Sequence, residues 1–89
     1  MQTSDVRHIE FEYLGDTASG KTSRWRVYNL TTNMHIGVVQ WAPNFRKYAF
    51  YPFHDTFYDS NCLEDIAEFL REVTMVRKNE RERERESNN

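Results

Sequence analysis

The segment Asn61-Cys62-Leu63-Glu64-Asp65-Ile66-Ala67-Glu68-Phe69-Leu70-Arg71-Glu72-Val73-Thr74-Met75-Val76 decides how the rest of the chain must be arranged. Within it Cys62, Ile66, Phe69, Val73 and Val76 recur at steps of four and three, and Leu63 and Leu70 widen the stripe. Residues at those steps share one side of a 3.6-residue turn, so the spacing predicts an amphipathic helix of about four turns. Asp59, Ser60 or Asn61 is placed to cap it, and Asn61 with Glu64 has capping-box spacing. A helix with one apolar stripe must lay it on something, and upstream the chain offers only strands.

Residues 7–14 put Ile9, Phe11 and Tyr13 on one side and His8, Glu10 and Glu12 on the other, the pattern of a strand with one wet face. Residues 24–30 separate Trp25 and Val27 from Arg24, Arg26 and Tyr28. Residues 35–42 carry Ile36, Val38, Val39 and Trp41, apolar on both faces, which suits a central strand. Residues 45–51 place Tyr48 and Phe50 opposite Ala49 and Tyr51. Thr31-Thr32-Asn33-Met34 and Ala42-Pro43-Asn44 supply the turns, since proline presets φ and asparagine suits turn positions. The expected fold class is therefore α+β: an antiparallel meander of three to four strands covered on one face by the C-terminal amphipathic helix. The first strand has two routes, pairing beside the second or leaving the sheet for another molecule.

Eighty-nine residues suffice for one compact domain with one core, expected over residues 1–78. Residues 79–89 are expected to form a charged tail, as frayed helix, disordered chain or a segment ordered by a partner. Glu and Arg alternate there, with like charges four apart opposing a helix and opposite charges three apart favouring one. No apolar run approaches the roughly 20 residues that span a bilayer, and Asp5 and Glu10 stand where a secretory signal would be apolar. A soluble, cytoplasmic protein without membrane association is expected. A single cysteine, Cys62, precludes an intramolecular disulfide and reads as a buried structural thiol.

The segment Gly15-Asp16-Thr17-Ala18-Ser19-Gly20-Lys21-Thr22 matches the phosphate-loop pattern at every fixed position. That loop works because it opens a helix whose free N–H groups hold phosphate. Here Ser23-Arg24-Trp25-Arg26-Val27-Tyr28 follows with strand character, so a connecting loop is expected, with nucleotide binding as an alternative. His54, Asp55, Asp59 and Cys62 include metal-ligand types without the paired spacing of a zinc site, and His54-Asp55 has no nucleophile tied to it. His8 and His35 read as outward-facing strand residues. No enzymatic activity, cofactor or metal is expected.

The net charge of −2 conceals a segregation: residues 20–54 carry five bases and no acid, and the remaining acids lie on either side. Within that basic third, Arg24, Arg26, Trp41, Phe45, Arg46, Lys47, Tyr48 and Tyr51 are the candidate binding residues. Arginine and large rings on a sheet surface make protein hot spots, and the same groups hold phosphate and stack bases in single-strand binders. A core role for the rings, with the bases on the solvent side, is the third reading.

Trp25, Val27 and Tyr28, then Gly37 and Trp41, Arg46-Lys47-Tyr48 with Phe50 and Pro52, Thr56, Tyr58 and Cys62-Leu63-Glu64-Asp65-Ile66-Ala67-Glu68-Phe69-Leu70 carry a resemblance. Over roughly residues 24–71 the chain resembles a family of small, mostly uncharacterised proteins of bacterial genomes and prophages. The family supplies no activity. Its association with mobile elements implies a small regulator or inhibitor that acts by contacting an unidentified protein, or its own second copy as a homodimer, ahead of nucleic acid.

Overall fold

The computed structural model describes residues 8–87, with side chains as far as Arg83. Arg7 of the expected first strand, and Asn88 and Asn89 of the expected tail, lie outside the described residues. The elements are β1 (Ile9–Asp16), β2 (Ser23–Asn29), β3 (Met34–Ala42), β4 (Lys47–Pro52) and α1 (Ser60–Ser87). The four strands form one antiparallel sheet in the order β1-β2-β3-β4. The first strand thus pairs beside the second, at the sheet edge.

Alternation divides the sheet into two faces. Ile9, Val27, Val39 and Tyr48 point to the helix and are buried with Ile36, Cys62 and Ile66. One irregularity is needed for this set: between β2 and β3 the register passes from Val27↔Gly37 to Tyr28↔His35, leaving Ile36 as an extra residue. The bulge shifts the alternation, so Ile36 enters the core while His35 and Val38 both stay on the other face. The bulge also explains the glycine beside it. A Cβ on Gly37 would collide with the Tyr51 carbonyl oxygen and stand 2.7 Å from Phe50 Cε1, so only glycine lets that ring close over the strand.

The two hairpin loops after β2 and β3 share one geometry. Asn33 N–H donates to Asn29 O at 2.7 Å and Arg46 N–H to Ala42 O at 2.9 Å, and these residues adopt left-handed φ of 61° and 54°. Asn33 suits that conformation; Arg46 carries a Cβ penalty there. The expected fourth strand, residues 45–51, accordingly starts two residues late, because Phe45 and Arg46 are spent on the turn.

Helix α1 crosses the sheet diagonally. His8 N–H donates to Asp65 Oδ2 at 2.9 Å near the start of β1, Phe69 stacks on Phe11 at 3.9 Å, and Tyr48 N–H donates to Thr74 Oγ1 at 3.1 Å near the start of β4. Strands β1 and β4 run in opposite directions, so these anchors sit at opposite ends of the sheet. The Thr74 bond satisfies an edge-strand donor that otherwise faces outward. Asp59 is the N-cap: its Oδ1 accepts from Cys62 N–H at 2.9 Å, and its backbone O accepts from Leu63 N–H at 3.0 Å.

The helix differs from the expected stripe in two respects. It spans 28 residues, the four expected turns being continued through the run of Lys, Glu and Arg for which a helix was one of the expected forms, strong helix formers with opposite charges three apart. Its buried stripe also ends sooner: Leu63 is 50% exposed and Val76 55%, while polar Thr74 is buried. Toward its middle the covered side of the helix turns to Leu70, Thr74 and the half-buried Arg77, so Val76, in phase with the Cys62–Phe69 stripe, faces outward. The radius of gyration, 14.7 Å, exceeds the roughly 12 Å of a compact domain of this length.

Candidate functional site

The face of the sheet away from α1 carries no covering element among the described residues. Its composition follows from register. Glu10 stands opposite Tyr28 and Glu12 opposite Arg26. Arg26 is in turn opposite Val38, and Val38 opposite Tyr51, giving one row of side chains across all four strands. At one side of this row Arg26 Nη1 donates to Glu12 Oε1 at 3.4 Å and to Tyr28 Oη at 3.2 Å, and Tyr28 Oη donates to Glu12 Oε1 at 3.3 Å. Next to the triad the rings of Tyr28 and His35 are 5.4 Å apart, and His35 meets the edge of Phe53 at 4.6 Å. His35 Nε2 lies 3.0 Å from Gly37 O, so the imidazole is held against its own strand.

Both signs of charge lie on this face. Arg26 is held by Glu12 and Tyr28, and Glu10 adds a further acid from β1, so cations and anions are interspersed. Single-strand binders instead present an unbroken basic track beside free ring faces. The hydrogen bond to Tyr28, with a smaller contribution from the charge of Glu12, raises the Arg26 guanidinium above its ordinary pKa. Its charge is therefore constant over any working pH.

The candidate residues of the basic third separate. Arg24, Arg26 and Tyr51 lie on the open face, where Tyr51 remains 39% exposed. Tyr48 is 6% exposed in the core, in T-shaped contact with Trp25 and Trp41 at 5.4 and 5.2 Å and accepting from Ser23 N–H at 3.0 Å through its hydroxyl. Trp41 is half-buried against the same core. Those two rings are thus on the opposite side of the sheet from the arginines. Phe45 and Arg46 protrude in the β3–β4 turn, and Lys47 begins β4 beside the helix. The open face also carries Glu12, Tyr28, His35, Val38 and Phe53. The alternation of residues 24–30 already puts Tyr28 beside the arginines; His35 and Phe53 come together only through the bulge and the bond from Phe53 N–H to Ile36 O at 2.9 Å.

The remaining motifs are placed elsewhere. Gly15 and Asp16 belong to β1, and the segment closes on β2. Thr17 N–H donates to Thr22 O and Gly20 N–H to Thr17 O, both at 2.8 Å, and the Thr22 hydroxyl lies 2.9 Å from that of Thr17. At its base Asp16 Oδ1 accepts from Tyr13 Oη at 2.6 Å and from Ser23 Oγ at 2.8 Å, which holds the carboxyl below its usual pKa. Cys62 is buried, and desolvation followed by the hydrogen bond to Asp59 pushes its thiol up. His54 and Asp55 are exposed in the loop before α1. Among the described residues no three His, Cys, Asp or Glu side chains converge as metal ligands, and no helix is long and apolar enough to cross a membrane.

No family model, curated protein or solved structure matches the chain significantly.

Proposed function

We propose that this protein is a non-enzymatic protein-binding module whose contact surface is the open face of the sheet, centred on Val38 and Tyr51. The observation that carries this reading is the uncovered row Glu12-Arg26-Val38-Tyr51, with its ring cluster of Tyr28, His35 and Phe53 alongside. Tyrosine and arginine around an apolar centre are the residues that dominate protein interfaces, and the β-sheet holds them in fixed relative positions. Interspersed charge supports a protein partner over nucleic acid, because steering toward a polyanion needs one sign of charge. The likeness to a prophage-associated family makes a small regulator or inhibitor of a host protein the kind of module proposed, with a second copy of the chain as another possible partner.

A photo-crosslinking amino acid at position 38 tests this, with the same group at exposed Leu63 on the helix as the control. The expected outcome is one dominant protein adduct from position 38 that survives raised salt and is lost with Tyr51→Glu, and none from position 63. A homodimer would give an adduct of twice the chain mass, matched by sedimentation. Adducts of equal yield from both positions, or adducts formed only with nucleic acid, would refute the proposal.

A further inference from the structure

A second surface lies on the other side of the molecule, where α1 passes the free edge of β4. A groove of about 470 Å³ runs between them, within the range of small-molecule sites. Its walls are Ala67, Leu70 and Met75 from the helix and Tyr48 from the strand, and they present mostly carbon. Three cations flank this apolar slot: Lys47 from β4, and Arg71 and Lys78 from α1. Arg71 and Lys78 are seven residues apart, which places them on the same side of the helix about 10 Å apart along its axis. Among the described residues no acidic side chain lines the groove.

An apolar slot rimmed by cations of one sign suits a ligand with a hydrocarbon body and an anionic head. A peptide adding to the β4 edge would need the strand's outward N–H groups, and that of Tyr48 is already committed to Thr74 Oγ1. A membrane surface would need the cations on a convex face; here they border a recess. We propose that the groove binds a single-chain amphipathic anion, its carboxylate or sulfate held by Arg71 with Lys47 or Lys78, and its alkyl chain lying on Leu70, Ala67 and Met75. Arg71 supplies the paired N–H groups that match a carboxylate, and the lysines add charge without fixed geometry.

The test is titration of the full chain with laurate below its micellar concentration, read by calorimetry, with dodecanol and dodecyltrimethylammonium as probes of the same chain length. Saturable binding of one laurate is expected, weakened about tenfold by Arg71→Gln and further by adding Lys78→Gln, and unchanged by Arg26→Gln on the open face. Ala67→Trp should abolish binding by filling the slot; if that variant does not fold, the exposed Arg71 and Lys78 variants decide. Absence of saturable laurate binding, equal binding of dodecanol or the cationic amphiphile, or binding only to phosphatidylglycerol vesicles would overturn the proposal.

Discussion

Val27 and Val39 are wholly enclosed between the sheet and α1, whereas Arg26 and Val38, one residue earlier on the same strands, lie on the opposite face without a covering element. The backbone environment is the same, so the difference lies in what stands above each side. The covered face is built from apolar burial, a ring cluster around Trp25 and two hydrogen bonds that fasten α1 to the outer strands. The open face is built from polar pairings among exposed side chains, which add little to stability and leave their groups available. Stability and contact surface are thus assigned to alternate residues of the same strands.

The strongest way to break this contrast is to truncate one residue from each face. Ile66→Ala removes a buried side chain from the centre of the helix contact and should cost about 2–5 kcal/mol in urea denaturation. Val38→Ala should cost less than about 1 kcal/mol, since its methyl groups are only partly covered. Equal losses would mean that the face described as open is covered in solution.

That assignment of faces was legible in the residues themselves, because period-two alternation specifies which side chains share a side. Trp25 with Val27 and Arg24 with Arg26 separate on the strand pattern alone, and the stripe through Cys62, Ile66 and Phe69 identifies the covering helix. Three things were not legible. Tyr48 and Trp41 look equally suited to a surface platform or a core, and only the diagonal path of α1, which takes it onto β4, decides for the core. Val76 continues the helical stripe but lies off the covered side, which has turned to Thr74 and Arg77, and local periodicity does not record that turn. The His35–Phe53 contact depends on a bulge at Ile36, which local alternation does not announce.

The next effect sharpens the contrast at the border between the faces. Thr74 is the one polar residue buried in the core among the described residues, and its hydroxyl takes the Tyr48 N–H at the β4 edge. Thr74→Val keeps the shape and removes the acceptor, leaving a buried donor unpaired, so a loss of about 1–3 kcal/mol is expected. Thr74→Ser should retain most of the wild-type midpoint. If valine stabilises the protein, the helix is held by packing alone and the edge bond contributes nothing.

A smaller change, of opposite sign, is expected where β3 turns into β4. Arg46 sits at φ 54°, a conformation that glycine adopts without a Cβ clash. Arg46→Gly should stabilise by up to about 1 kcal/mol, as the relieved strain exceeds the added freedom of the unfolded chain. It should leave crosslinking from position 38 unchanged, because this side chain belongs to the turn and not to the open row. A loss of that crosslink would extend the contact surface to the β3–β4 turn.

The smallest effect concerns how the covering helix begins. Asp59 accepts from the Cys62 N–H and thiol, and these bonds to its charged form hold its carboxyl below its ordinary value of 3.8. A depressed folded pKa means that the stabilising contribution is fully present above 3.8 and disappears as pH falls through the folded value. Asp59→Ala should therefore lower the melting temperature by a few degrees at pH 7, and the gap to wild type should narrow as the solution is acidified below pH 4. Asp59→Asn keeps an uncharged cap, so its gap should be smaller at neutral pH and should close or reverse in acid. Melting curves of the three proteins recorded side by side cancel the titration of Asp16, whose carboxyl is also depressed, and isolate this one helix end. A gap between wild type and Asp59→Ala that stays constant down to pH 2 would show that the cap acts through its shape and not its charge.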